Sequence, residues 1–122
     1  MKFTVESAPK YGKHYSDDGF WKKLRKLAAQ AGTKLLYPAL QLYYLMQSKE
    51  VPLGAKTLII GALGYLILPA DLIPDFIPAL GITDDMTAIM LALRNVMHYM
   101  TPEIKSKAKE QADKIVRQSD IQ

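Results

Sequence analysis

The sequence predicts an all-α fold of about five helices. Three observations carry that reading. Apolar residues recur at helical spacing over most of the chain. Helix-start signals punctuate it at Ser16-Asp17-Asp18, Thr83-Asp84-Asp85 and Thr101-Pro102-Glu103. Between them runs a stretch of fourteen uncharged residues, Thr57 to Ala70, with apolar groups on every side.

The first element follows a polar stretch. Met1 to Tyr15 lacks the apolar region of a secretory signal and reads as a polar mobile arm over 1–15. A single helical domain is expected over 16–122, with its core motif in 52–93, and the chain is expected to begin in the cytosol. Ser16, Asp17 and Asp18 can each accept from the orphan amides of a helix start, and the two acids suit its positive end. Phe20, Leu24, Leu27, Ala28, Ala31 and Leu35 then repeat at helical spacing. Gly32 ends this helix or bends it. A second helix is expected over about 33–47, with Pro38 starting or kinking it. Leu40, Tyr43, Tyr44, Leu45 and Met46 make that helix too apolar for a wet face. Core packing explains the aromatic cluster, with anchoring at a membrane interface as the alternative.

Ser48 to Pro52 is a break, and Pro52 suits the first turn of a new helix. The central prediction is an apolar helical hairpin, about 53–68 and 84–100, joined by an ordered Pro/Asp-rich turn. Its first arm must be enveloped by protein or lipid. Fourteen helical residues rise about 21 Å against about 30 Å of hydrocarbon, too short for a simple span. A buried bundle helix and half of a re-entrant hairpin both fit. Lys56 can snorkel from its start, and Gly61, Ala62 and Gly64 offer a surface where another helix can approach closely. The return arm, Met86 to Met100, holds Arg94 as its one full charge and places His98 as a hydrogen-bonded core residue. Thr101 and Pro102 then start a polar C-terminal helix with a narrow stripe of Ile104, Ala108, Ala112 and Ile115.

Charge is unevenly spread. Residues 1–56 hold ten Lys or Arg against four acids, and residues 57–122 hold six against eight. The basic half centres on Trp21, Lys22, Lys23, Arg25 and Lys26, a group able to contact a membrane or another anionic surface. A solvated helix face is the plain alternative. Nucleic acid is the weaker partner, because no zinc finger, RNA-recognition signature or glycine-rich loop accompanies the charge. The chain has no cysteine, which removes disulfides, thiolate metal sites and cysteine nucleophiles. Its two histidines, His14 and His98, show no zinc spacing.

The segment between the apolar arms carries the most information. Pro69, Pro74, Pro78 and Gly81 oppose one continuous helix, while Leu72, Ile73, Phe76, Ile77, Leu80 and Ile82 call for burial. Asp71, Asp75, Asp84 and Asp85 flank the hairpin, and its turn is expected to gather them at one end. Four carboxylates together repel unless compensated. Mg²⁺, Mn²⁺ or Ca²⁺ prefers such oxygen ligands, although the pattern is not an EF-hand. Helix capping explains the same residues singly, at about 1 kcal/mol each. No nucleophile, oxyanion hole or phosphate cradle accompanies them, so an enzyme is not expected.

Pro52-x-x-Ala55-Lys56, Ala62-Leu63-Gly64-Tyr65 and Leu68-Pro69-x-Asp71-Leu72-Ile73-Pro74-Asp75-x-Ile77-Pro78-x-x-Gly81-x-x-Asp84-Asp85 closely resemble the YkvA-like family. That family is a widespread small bacterial domain of unknown function. Related domains are appended to some eukaryotic membrane-bound ubiquitin ligases. The resemblance covers about a third of the chain. It implies a helical, frequently membrane-predicted protein and brings no catalytic residue and no established cofactor.

Three functions follow as expectations. The first is a non-catalytic scaffold, adaptor or assembly factor at the bacterial inner membrane or its cytoplasmic face, with lipids or a membrane protein as partner. The second is a soluble protein-interaction domain of the cytoplasm, with Tyr43, Tyr44 and Met46 exposed as its interface. The third is divalent-cation binding or transport through the aspartates of a homo-oligomer.

Overall fold

A computed structural model describes the backbone of residues 3–31, 33–67 and 78–121, and their side chains outside 29–31, 33, 78–85 and 119–121. Among the described residues the fold is all-α. Among the described residues its helices are α1 (Ala8–Gly12), α2 (Asp17–Ala31), α3 (Thr33–Gln47), α4 (Leu53–Ile67), α5 (Pro78–Val96) and α6 (Pro102–Ile121), with a 3-10 turn at Met97–Tyr99.

Helix starts follow local chemistry. The Ser16 hydroxyl accepts from the Gly19 amide at 3.0 Å, and the Ser16 carbonyl accepts from Phe20 at 2.9 Å. Ser16 therefore caps α2, with Asp17 and Asp18 in the first turn favouring its positive end. Thr101 does the same for α6, its hydroxyl accepting from the Ile104 amide at 3.2 Å. Pro102 fills the first helical position, where a missing N–H costs nothing. Pro38 lies inside α3 and gives no amide to the carbonyl four residues earlier.

Helix α4 lies in the core. From Leu58 to Leu66 its side chains are buried apart from that of Ile60, which is half-buried. Its partners are α1, α2, α3 and α5. Over 58–66 the envelope that the apolar run requires is thus supplied by the chain's own helices. The amphipathic helices close around it. α2 turns Phe20, Leu24 and Leu27 inward, and α6 turns in Ala108, Ala112 and Ile115 and packs on α2 and α3. Each large apolar side chain removed from water contributes about 1.5–3 kcal/mol.

Two expectations about element limits are corrected. Residues 3–15 are not a free polar arm. Phe3, Ala8 and Tyr11 are buried, and α1 packs along α4. The rings of Phe3, Tyr11 and Tyr65 meet there, Tyr11 standing edge-on to Tyr65 at 4.9 Å. The physical reason is backbone proximity. A Cβ on Gly61 would overlap the backbone of Ala8, and one on Gly64 the Tyr11 carbonyl oxygen. The small-residue surface of α4 therefore seats α1.

The return arm also begins earlier and ends earlier than 84–100. α5 starts at Pro78, runs through Gly81, Thr83, Asp84 and Asp85, and stops at Val96. Pro78 occupies the first turn, where proline is tolerated, and an internal glycine costs only about 1 kcal/mol against alanine. Asp84 and Asp85 are consequently internal to α5 and not at its N-cap. α4 and α5 pack on each other, as the hairpin requires.

Candidate functional site

The outward face of α2 is the first candidate. Its apolar side is committed to the core, which leaves Lys22, Arg25 and Lys26 exposed and Lys23 half-buried. Lys22, Arg25 and Lys26 stand at i, i+3 and i+4 and so share one face. Asp18, one turn earlier on the same side, is exposed as well. Trp21 is half-buried, its ring edge-on to Phe20 at 5.2 Å and to Tyr43 at 5.1 Å.

The aromatic cluster of α3 belongs mainly to the core. Tyr43 is buried and stacks on Phe20 with centroids 4.8 Å apart and rings nearly parallel. The expectation of Tyr43 as an exposed interface residue is corrected. Tyr44 and Met46 are half-buried. Burial, and then the neighbouring Tyr43, raises the Tyr44 phenol above the ordinary tyrosine pKa. Tyr44 borders two open grooves against α6. The larger, about 650 Å³, is lined by Lys107, Glu110, Asp113, Lys114 and Arg117. The smaller, about 340 Å³, adds Ser48, Thr101 and Glu103. Cations and carboxylates are interleaved in both, so neither presents one sign of charge. Sequence reasoning passed over these grooves. Their signal was the spacing of Lys107, Glu110, Lys114 and Arg117, which places them on one side of α6.

The aspartate group is only partly visible. Asp71 and Asp75 lie outside the described residues, as do Pro69 and Pro74. Asp84 and Asp85 are consecutive on α5, six and seven residues beyond its start at Pro78, with Gly81 between. Among residues whose side chains are described, no three His, Asp or Glu come together as a metal site. Lys56 is half-buried near the start of α4.

His98 is exposed and is not a hydrogen-bonded core residue. α5 ends at Val96, and the 3-10 turn redirects the next residues outward. The His98 ring lies 4.0 Å from that of Tyr99. No described helix is long and apolar enough to cross a membrane.

Residues 55–91 match the model of a family described as a protein of unknown function, DUF1232. No curated protein and no solved structure matches the chain. The match begins within α4 and ends within α5 at Leu91, and it covers most of the stretch that resembles the YkvA-like family. Over residues 55–91 the chain is accordingly similar to the DUF1232 family, whose function is unknown.

Proposed function

We propose that the chain is a non-catalytic helical scaffold or adaptor that rests on an anionic membrane surface through α2. One observation supports this reading most. The apolar face of α2 is spent inside the protein, and Lys22, Arg25 and Lys26 remain exposed together on its other face. Attachment is then electrostatic and peripheral. Each basic residue near an anionic leaflet contributes about 1 kcal/mol. The cytoplasmic face of a bacterial inner membrane supplies such a surface.

Co-sedimentation with vesicles tests it. The protein is expected to bind vesicles containing phosphatidylserine, to ignore phosphatidylcholine alone, and to be released by salt. Lys22→Gln/Arg25→Gln/Lys26→Gln should weaken binding by about a hundredfold. Equal binding by the triple variant, or no binding by the natural chain, overturns the reading.

A soluble protein-interaction domain is the second reading. It draws support from the burial of Leu58, Ile59, Leu63 and Leu66 within the chain's own helices. A sharp gel-filtration peak without detergent, together with indifference to anionic vesicles, would favour it.

A further inference from the structure

Gln41 is the buried polar side chain among the described residues, 4% exposed on α3. It lies between Leu40 and Leu42, both fully buried. Its Nε2 donates to the Sδ of Met100 at 4.0 Å. A thioether is a weak acceptor, and a buried amide donor loses much of its hydration for so long a contact. Met100 is itself held in place. It is half-buried between the 3-10 turn and α6, in extended conformation, and its amide donates to the Met97 carbonyl at 3.0 Å. The donor and the sulfur are therefore fixed opposite each other, with a poor acceptor where a good one would fit.

We propose that Met100 is a methionine-oxidation site whose sulfoxide is received by Gln41. The oxidant is a peroxide, with hydrogen peroxide as the simplest member. A lone pair of Sδ attacks one peroxide oxygen and the O–O bond breaks. The departing hydroxide takes the proton left by the transferred oxygen and leaves as water. Sulfur is oxidised by two electrons and the peroxide is reduced. The new oxygen stands one bond out from Sδ and is a strong acceptor, so Gln41 Nε2–H gains a full hydrogen bond. Oxidation normally harms a packed methionine by making it polar. At Met100 the buried amide offsets that harm. Met90 and Met97 are 41% and 43% exposed on or just after α5.

The test uses the full chain with Met46→Leu/Met86→Leu/Met90→Leu/Met97→Leu, which leaves Met100 as the sole internal methionine. After hydrogen peroxide, peptide mass spectrometry should show Met100 sulfoxide with Tm unchanged or raised. With Gln41→Leu added, the same oxidation should lower Tm by about 4 °C. The Gln41 side-chain amide resonance should move downfield on oxidation, a measurement that needs no variant at position 41. Three results overturn the proposal. Met100 stays reduced at peroxide levels that oxidise Met90 and Met97 in the natural chain. Tm falls equally with and without Gln41→Leu. The Gln41 amide resonance does not move.

Discussion

Gly64 of α4 lies against the backbone of Tyr11 in α1, so closely that a Cβ at Gly64 would overlap the Tyr11 carbonyl oxygen. Gly61, one turn earlier, stands in the same relation to Ala8. The neighbours are backbone atoms, which cannot swing aside like the tip of a side chain. Gly64→Ala should therefore destabilise the fold by about 1–3 kcal/mol, the usual cost of overpacking. Gly61→Ala should do likewise, and both should speed tryptic cleavage at Lys10 and Lys13. Gly54 has nothing within 4 Å of the equivalent position. Gly54→Ala should be neutral, or stabilising by up to about 1 kcal/mol through helix propensity. Thermal melts of the three variants check the contrast.

Side-chain capping gives a second, independent set of outcomes. Ser16→Ala removes the acceptor of the Gly19 amide, and Thr101→Ala that of the Ile104 amide. Each should cost about 1 kcal/mol. That corresponds to a Tm drop of about 4 °C for a domain of this size. Ser16→Asp should retain most of the stability, because aspartate also caps and suits the helix dipole.

Alkaline pH should weaken the fold through Tyr15. Burial, followed by its hydrogen bond to Asp17, raises the Tyr15 phenol well above the ordinary tyrosine range. The folded state then holds this proton more tightly than the unfolded chain. The contribution is fully present below about pH 10, where an unfolded tyrosine keeps its proton. It declines as pH rises through the unfolded value toward the folded one. Tyr15→Phe should flatten that part of the stability profile, as urea melts above and below pH 10 will show.

Much of this architecture can be read from local pattern. The stripe of Phe20, Leu24 and Leu27, and that of Ala108, Ala112 and Ile115, are continuous and end at good caps, so their helices stand where the spacing puts them. α1 escapes such reading for a physical reason. Five residues cannot display a helical period, and Ala8 and Tyr11 become core only because Gly61 and Gly64 let the backbones meet. The start of α5 escapes for another. Thr83-Asp84-Asp85 has the chemistry of a cap, but Pro78 is equally fit to begin a helix, and the cost of one internal glycine is small beside a helix of 19 residues. At the candidate surface, composition already singles out Lys22, Arg25 and Lys26. The commitment of Trp21 and Tyr43 to each other and to Phe20 is a tertiary fact that only packing reveals.

The central claim is that the uncharged part of α4, from Thr57 onward, is sheltered by protein rather than by lipid. Hydrogen–deuterium exchange of residues 59–66, in detergent-free buffer with and without anionic vesicles, tests it most directly. Slow exchange of these amides in both conditions is the predicted result. Rapid exchange in buffer that becomes slow only when vesicles are added would contradict it.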